Sequence, residues 1–260
     1  MTYWLVKRIL GSVLRYFYRV RAEGLENVPK TGPVILASNH LSFSDSIFLP
    51  MVLPRRITFV AKAEYFEDPK TAWFFRGLGQ IPIKRGGGSD ARRALDSARD
   101  VLVGGGLFGI YPEGTRSPDG RLYKGHTGVA RIALGTKAPV LAVAMIGTRE
   151  AQPIGQVKPS PFRRITIRFS RPLEFTHLGG RTDPLALRQV TDEIMFELRA
   201  LSGQTYVDRY CKRVSEDAAP PVTARVATVD DVLAAIPPTL DPAPALGRVA
   251  SAPGRAVATA

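Results

Sequence analysis

Cysteine and histidine are scarce in this chain, and their scarcity excludes several kinds of site. Cys211 is the only cysteine among 260 residues, so an intrachain disulfide cannot form, and a reducing compartment is indicated. The three histidines, at positions 40, 126 and 177, lack the spacing of metal ligands. We therefore expect neither a bound metal ion nor another resident cofactor.

Long apolar runs and two common catalytic motifs are also missing. No stretch approaches the roughly 20 apolar residues that a membrane-spanning helix needs, and no small-residue cleavage site follows a hydrophobic block. The glycines at 86–88 do not lead into the Gly-Lys-Ser/Thr of a P-loop, and neither Ser42 nor Ser44 stands in a Gly-x-Ser-x-Gly turn. These absences argue against a spanning segment, a P-loop nucleotide site and a serine-hydrolase nucleophile.

Positive charge, by contrast, is abundant. The formal net charge is +13 and the sequence pI is about 10.2. From Val214 onward five acids stand against three arginines, a net charge of −2, which leaves +15 on the rest of the chain. Such an excess suits an anionic partner, which could be nucleic acid, acidic lipid headgroups or a phosphorylated substrate.

The composition divides the chain into three segments. Residues 1–22 predict a basic amphipathic helix lying in a membrane interface, and the alternative is a helix packed on its own domain. Residues 23–214 predict the folded domain, and residues 215–260, rich in Pro and Ala and without aromatics, predict a mostly disordered tail. One side of the predicted helix collects Lys7, Arg8, Gly11, Ser12, Arg15 and Arg19, and another collects Tyr3, Val6, Leu10, Val13, Leu14 and Phe17.

The central segment alternates apolar runs with helical patterns. The runs predict strands near 34–37, 56–62, 79–85, 107–111, 139–146 and 164–169, the last as a half-exposed edge strand because apolar residues alternate with polar ones. A helix is predicted to begin after Asp183, with Pro184 at its first position, and to stop at Gly203. The pattern predicts a single α/β domain with a mixed, largely parallel sheet flanked by helices.

A histidine and an aspartate share the turn after the first of these strands. Imidazole titrates near pH ~6.5, which suits it to accepting and returning a proton at neutral pH. Five residues after His40, the carboxylate of Asp45 can accept a hydrogen bond from one ring nitrogen and leave the other to act as a base. By itself, the heptapeptide from Asn39 to Asp45 is equally consistent with a turn histidine and a capping aspartate.

Two further polar turns follow predicted strands. Arg85 ends the block that begins at Gly79, and Glu113, Gly114, Thr115 and Arg116 follow the strand near 107–111. In open α/β sheets ligands bind at the carboxyl ends of the strands, so these turns are expected to converge. Because arginine forks match phosphate oxygens and glycines allow close approach of backbone N–H groups, the set suits a phosphate-bearing substrate with a hydroxyl.

Three sequence blocks occur in the order and at the separations of the motifs of one known protein family. They are His40 to Asp45, Gly79 to Arg85 and Tyr111 to Ser117. On these blocks the chain resembles the glycerolipid acyltransferases of the 1-acylglycerol-3-phosphate O-acyltransferase type, over roughly residues 20–175. A fourth block of that family departs here, because Ala142 stands where a second proline is usual. The departure bears on substrate identity more than on reaction type.

The resemblance implies a role for each matching residue. His40 would be the general base that takes the proton of the acceptor hydroxyl, and Asp45 would orient its ring. Arg85 with Glu113, Gly114, Thr115 and Arg116 would hold the acceptor's phosphate, although the carboxylate of Glu113 would repel a phosphate and is expected to orient Arg116, Lys124 or a substrate hydroxyl. Asn39 and Lys124 are secondary candidates.

The resemblance also implies substrates and a location. The acyl donor would be acyl-CoA or acyl-carrier protein, and the favoured acceptor is a lysophospholipid, 1-acyl-sn-glycerol 3-phosphate. We expect a peripheral or monotopic protein on the cytoplasmic face of an anionic membrane, and no nucleic acid. The alternatives are another acceptor, such as glycerol 3-phosphate, another lysolipid or a glycolipid, and a module that binds anionic membranes or nucleic acid without catalysis.

Overall fold

Seven strands form one mixed sheet with helices on both faces, which confirms the predicted α/β class. The computed structural model describes residues 2–212 apart from 68, 84–87, 157 and 179. The predicted tail, residues 215–260, and Arg85 therefore lie outside the described residues.

The elements follow one another along the chain with these bounds. The strands are β1 Arg19–Glu23, β2 Val34–Ser38, β3 Ile57–Lys62, β4 Ile81–Ile83, β5 Leu107–Ile110, β6 Leu122–Tyr123, β7 Val140–Ile146, β8 Arg164–Phe169 and β9 Tyr206–Val207. The helices are α1 Thr2–Phe17, α2 Asp45–Val52, α3 Glu64–Glu67, α4 Pro69–Gly77, α5 Gly88–Val103, α6 Gly128–Thr136, α7 Thr148–Ala151 and α8 Pro184–Ser202.

The strand order of the main sheet is β1-β8-β7-β2-β5-β3-β4. Strands β2, β3, β4, β5 and β7 run parallel, whereas β8 is antiparallel to β7 and carries β1 parallel to itself. β2 and β7 are apolar along nearly their whole length because both of their faces are covered. One edge of the sheet therefore holds the carboxyl ends of five strands together with the amino ends of β8 and β1.

Helices cover the two faces of this sheet with separate apolar cores. On one face α5, α6 and α8 pack against residues such as Ile35, Phe108 and Val140. On the other face α2 packs against residues such as Leu36 and Leu141. The bounds of α8 confirm the sequence signals, because Asp183 accepts a hydrogen bond from the Ala186 N–H and Gly203 ends the helix at φ 71°.

Two details of the predicted layout are wrong. The helix expected over residues 1–22 ends at Phe17, and residues 19–23 form β1. Strand β8 is not an edge strand, because β1 pairs along it from the Arg19–Arg164 position to the Glu23–Arg168 position. With alternating exposed and buried residues, β8 shows the pattern of an edge strand, which hid its second neighbour.

Helix α1 packs on the domain through residues of both predicted sides, Tyr3 from the apolar side and Lys7 and Gly11 from the polar side. Tyr3 and Gly11 are buried, and the Lys7 ammonium donates a hydrogen bond to the carbonyl of Leu53 at the end of α2. Lys7 and Gly11 had been placed on the polar side, yet the glycine allows close approach and the lysine stem packs while its head finds a carbonyl. Within the described residues no helix has the length and apolar character to cross a membrane.

Candidate active site

The turn between β2 and α2 brings the predicted histidine and aspartate into contact. His40 Nδ1 lies 2.9 Å from Asp45 Oδ2, and the same oxygen accepts hydrogen bonds from the backbone N–H groups of Leu41 and Ser42 at 2.7 and 2.8 Å. Asp45 is fully buried. Because an ionised carboxylate can only accept, the contact places the proton of a neutral His40 on Nδ1 and makes Nε2 its basic atom.

The capping alternative takes an unexpected form. Asp45 is the first residue of α2, and no side chain caps this helix at Ser44. The Asp45 carboxylate instead binds two N–H groups of the turn that precedes the helix. The Ser42 hydroxyl bonds to Ser44 Oγ and to the carbonyl of Gln152. Asp45 therefore shapes the turn and orients His40 with the same oxygen.

An aromatic stack fixes the plane of the imidazole. The ring of Tyr111 is stacked on His40 with centroids 3.8 Å apart, and Phe59 is stacked on Tyr111 with centroids 5.5 Å apart. The Tyr111 hydroxyl contacts Ser46 Oγ at 2.9 Å, and burial raises the pKa of this phenol, with the Asp45 charge adding to the shift. Gly109 makes room for the stack, since a Cβ there would stand 2.1 Å from Phe59 Cε1.

Glu113 holds the backbone of the histidine turn. Its Oε1 accepts the N–H of His40 at 3.2 Å and its Oε2 accepts the N–H of Tyr123 at 2.9 Å, in a buried position. Burial raises the pKa of the Glu113 carboxyl to about 7, against the lowering effect of the two N–H groups, and the charges of Asp45 and Asp119 raise it further. These two oxygens bind backbone amides, and whether Glu113 also orients Arg116, Lys124 or a substrate hydroxyl stays a prediction.

The other predicted residues of the loop after β5 lie beside this centre, whereas Arg85 is outside the described residues. Gly114 adopts φ 71°, and its N–H donates to the carbonyl of Tyr111. Thr115 and Arg116 are half-buried, and the following Ser117 N–H donates to the carbonyl of His40 at 2.7 Å. The loop after β5 is therefore tied directly to the histidine turn.

The two secondary candidates are both engaged by neighbours. The Asn39 amide donates to the carbonyl of Met145 at 3.0 Å and accepts the Met145 N–H at 2.7 Å, which pins the end of β2 to β7. Lys124 Nζ contacts Asp208 Oδ1 at 2.8 Å.

Gln204 contributes to the site without any signal in the sequence pattern. Its Oε1 accepts a hydrogen bond from Asn39 Nδ2 at 2.7 Å, and its Nε2 donates to the carbonyl of Gly120 at 2.7 Å. The residues that follow it reinforce this link, because β9 pairs with β6 just beyond Gly120. A single amide after α8 therefore joins the histidine turn to the loop that carries Glu113.

An apolar cavity lies beside the histidine turn, lined by residues of α2, β3 and α4 and of the segment after α4. Ser46, which contacts Tyr111, and Phe59, which stacks on it, belong to its wall. The cavity is lined by Phe43, Ser46, Ile47, Phe59, Val60, Ala61, Phe75, Leu78 and Gln80. A predominantly aliphatic and aromatic lining suits a hydrocarbon group.

The departure at Ala142 has a structural counterpart. Ala142 lies in the middle of β7, and its N–H donates to Ser170 Oγ at 2.9 Å, while its carbonyl accepts the Ser170 N–H. Proline could not make the first of these bonds because it has no N–H. Ala142 is buried in the sheet, so its direct effect is on strand pairing between β7 and the segment after β8.

The fold and the site together define an α/β protein with a buried carboxylate–histidine pair at the carboxyl ends of parallel strands. Residues 19–146 match the acyltransferase family. Over these residues the chain therefore belongs to the acyltransferase family, as the three sequence blocks predicted.

Relatives with this domain are similar over part of their length. A chloroplastic 1-acyl-sn-glycerol-3-phosphate acyltransferase of Arabidopsis thaliana is 33% identical over 155 residues, which cover 58% of this chain and 42% of that protein. The 1-acyl-sn-glycerol-3-phosphate acyltransferase alpha of Mus musculus is 29% identical over 145 residues, 54% of this chain and 50% of that protein. The matched region thus spans about half the length of these relatives.

A solved structure has a similar fold. The crystal structure of the 1-acyl-sn-glycerophosphate (LPA) acyltransferase PlsC from Thermotoga maritima matches with a TM-score of 0.58 and 26% sequence identity. The match covers 78% of this chain and 81% of that chain. The likeness extends beyond residues 19–146 to most of the described domain.

Proposed function

We propose that this protein is a 1-acyl-sn-glycerol-3-phosphate O-acyltransferase. It transfers a fatty acyl group from acyl-CoA or acyl-carrier protein to the hydroxyl of 1-acyl-sn-glycerol 3-phosphate and forms phosphatidic acid. The observation that carries the proposal is the contact of His40 with the buried Asp45 in a domain of the acyltransferase family. The names of the relatives and of the similar structure supply the acceptor.

The reaction begins with proton transfer from the acceptor hydroxyl to His40 Nε2. The oxygen attacks the thioester carbonyl, a carbon–oxygen bond forms, and the carbon–sulfur bond breaks as the tetrahedral intermediate collapses. The imidazolium returns its proton to the leaving thiolate, so the enzyme ends unchanged. Asp45 stabilises the imidazolium and keeps the basic atom pointed at the substrate, since its oxygen holds Nδ1 at 2.9 Å.

The substrate's phosphate is held by Arg85, Gly114, Thr115 and Arg116. A guanidinium and the N–H groups of a glycine turn are suited to phosphate oxygens. The Ser117 N–H to His40 carbonyl bond supports this role, because it keeps the phosphate-binding loop at a constant distance from the base. Glu113 acts one step removed by holding the His40 backbone, and Lys124 lies at the rim with its partner Asp208.

In this proposal only the end of an acyl chain reaches the apolar cavity, because its volume of about 30 Å³ is too small for a whole chain. The lining residues Phe59 and Ser46 lie beside the Tyr111–His40 stack, so this contact would bring the substrate towards the base. The cationic body suits a peripheral or monotopic position on the cytoplasmic face of an anionic membrane, where the lysolipid resides.

The test measures release of free thiol from acyl-CoA in the presence of 1-acyl-sn-glycerol 3-phosphate, with phosphatidic acid identified by mass spectrometry. His40→Ala should lower kcat by roughly 10²- to 10⁴-fold, the usual contribution of a general base. His177→Ala is the matched control, because His177 is exposed and distant in sequence from the blocks. A folded His40→Ala protein with normal turnover would contradict the assignment of the base.

The alternatives give different results in the same assay. Another acceptor is indicated if thiol release requires glycerol 3-phosphate, a different lysolipid or a glycolipid in a panel of acceptors. Thiol release without any acceptor would indicate a hydrolase. Binding to anionic vesicles or nucleic acid with no turnover on any acceptor would indicate a binding module, and its affinity would fall steeply with salt.

A further inference from the structure

Three exposed aromatic rings meet where α1 ends and where the loop before β8 turns. Tyr16 and Phe17 are the last two residues of α1, and Phe162 lies two residues before β8. The ring centroids of Tyr16 and Phe17 are 5.1 Å apart, and those of Phe17 and Phe162 are 6.2 Å apart. Tyr16 is 79% exposed and Phe162 is 74% exposed. A group of exposed rings on a folded domain marks a contact surface.

The backbone holds these rings outward in a defined position. The Phe162 N–H donates to the carbonyl of Phe17 at 2.7 Å, and the Arg19 N–H donates to the carbonyl of Arg163 at 3.2 Å. Phe162 has φ 62°, in the left-handed region that bulky residues rarely adopt. The hydrogen bond to Phe17 holds this conformation, which keeps the ring of Phe162 exposed at the surface.

Three exposed arginines lie within two residues of these rings along the chain. Arg19, Arg163 and Arg164 are all exposed, and Arg19 lies opposite Arg164 in the β1–β8 ladder. Glu23, the acid of β1, is at the far end of that strand and is paired with Arg21 and Arg168. Among the described residues none of these three arginines has an ion-pair partner, and aromatic rings next to such arginines are the combination found at the boundary between lipid headgroups and acyl chains.

The sheet places this surface on the same edge as the candidate active site. β8 runs antiparallel to β7, with Thr166 opposite Ile146, so the amino end of β8 lies at the carboxyl end of β7. His40 follows the carboxyl end of β2, the other neighbour of β7. A bilayer that contacts the amino ends of β8 and β1 therefore lies at the edge of the sheet where the histidine turn is found.

We propose that Tyr16, Phe17, Phe162, Arg19, Arg163 and Arg164 form an interfacial patch that docks on an anionic bilayer. The rings insert at the headgroup–acyl boundary and the guanidinium groups bind lipid phosphates. The purpose of the patch rests on the proposed function, because a lysolipid acceptor and a phosphatidic acid product both reside in the bilayer.

The test is sedimentation of the full chain with vesicles of phosphatidylcholine containing phosphatidylglycerol, or of phosphatidylcholine alone. Phe162→Asn removes the ring and keeps a residue that tolerates a positive φ, and it should weaken binding about ten-fold or more. Tyr16→Ser, on the helix, should weaken binding in the same direction without touching the loop. The matched control is Phe196→Asn, a 69% exposed phenylalanine of α8 on the opposite face of the sheet.

The charge arm uses a double variant. Arg163→Gln with Arg164→Gln should lower affinity for the anionic vesicles roughly 10- to 30-fold and leave binding to pure phosphatidylcholine almost unchanged. Arg92→Gln with Arg99→Gln removes the same charge from the exposed side of α5 and should have a much smaller effect. Equal binding by the patch variants and their controls would overturn the proposal.

Further outcomes distinguish docking on a bilayer from binding to nucleic acid and from the proposed catalytic function. If the arginine variant loses affinity for duplex DNA while vesicle binding stays unchanged, the patch is a nucleic-acid surface and the proposal is overturned. If the patch variants keep wild-type turnover on a short-chain, monomeric lysolipid but lose vesicle binding, docking is supported independently of chemistry. A wild type that docks through the patch yet acylates no acceptor would contradict the proposed function and leave the docking surface standing.

Discussion

At the scale of single residues, two carboxylates determine where His40 stands. Asp45 fixes the imidazole through Nδ1, and Glu113 fixes the backbone through the His40 N–H. The stack on Tyr111 then leaves the ring little rotational freedom. A base held in this way needs little reorganisation before proton transfer, which is how positioning lowers a barrier.

Glu113 should make stability depend on pH. Its folded pKa of about 7 is higher than its ordinary value of 4.5, so the folded state binds the proton more tightly than the unfolded state does. The stabilising contribution of protonation is complete below pH ~4.5 and is lost as the pH rises through about 7, by about 3 kcal/mol at most. Glu113→Gln removes this dependence.

The measurement is the free energy of unfolding in urea at pH 5 and pH 8. The difference between Glu113→Gln and wild type should shift in favour of the variant at pH 8, whatever constant offset the substitution causes. Glu150→Gln, at an exposed position on α7, is the control and should follow the wild type at both values. If the difference in unfolding free energy between Glu113→Gln and the wild type is the same at pH 5 and pH 8, Glu113 does not titrate in this range.

At the scale of elements, residues 204–210, which follow α8, act as a strap across the active-site loops. β9 pairs with β6, Lys124 is paired with Asp208, and the His126 ring is stacked on Tyr210 with centroids 4.5 Å apart. Gln204 is the point at which this strap reaches the histidine turn. The strap thus connects the end of the domain to the geometry of the base.

Gln204→Leu should therefore impair turnover while the protein stays folded. The substitution removes the hydrogen bonds to Asn39 and Gly120 and leaves a buried amide without that partner, a cost of about 1–3 kcal/mol in stability. We expect kcat to fall about ten-fold with a smaller change in KM for the acyl donor, because the loops shift and the donor's own contacts remain.

Kinetics with both substrates varied would test this role of Gln204. Gln156→Leu, at an exposed position, is the control and should leave kcat unchanged. Gln204→Glu, which keeps an acceptor for Asn39 but not the donor to Gly120, should recover part of the rate. If Gln204→Leu lowers only the melting temperature and keeps the wild-type kcat, the residue is purely structural.

At the scale of the whole molecule, the described domain holds both apolar cores, the base and the interfacial patch. Because β1 is a strand of the main sheet, we propose that the catalytic domain begins at Arg19 rather than at residue 23 and extends to residue 214. Helix α1 is then its membrane-contacting start, and residues 215–260 are a separate tail. The excess of positive charge lies on the part before Val214.

A chain that ends at Val214 should consequently keep its thermal midpoint and its turnover. Removing the tail raises the net charge from +13 to +15, so binding to anionic vesicles should become slightly tighter and more sensitive to salt. Thermal unfolding, the thiol-release assay and sedimentation at two salt concentrations check these three expectations. Loss of cooperative unfolding or of turnover would show that the tail belongs to the domain.

The sequence by itself determined what depends on near neighbours along the chain. Apolar runs predicted the strands, Asp183 and Gly203 predicted the bounds of α8, and the His40–Asp45 contact could be anticipated because it closes over five residues. Three ordered blocks then predicted the family that the comparison confirms.

Only the tertiary structure decided the contacts that join distant segments. Glu113 reaches the His40 N–H across 73 residues, Gln204 reaches Asn39 across 165, and β1 pairs with β8 although four of its five residues belong to the predicted helix. Local sterics and periodicity fix short-range geometry, whereas these pairings depend on how two layers of helices close over one sheet. The heptapeptide shows both, since its own residues make the base and remote residues hold it in place.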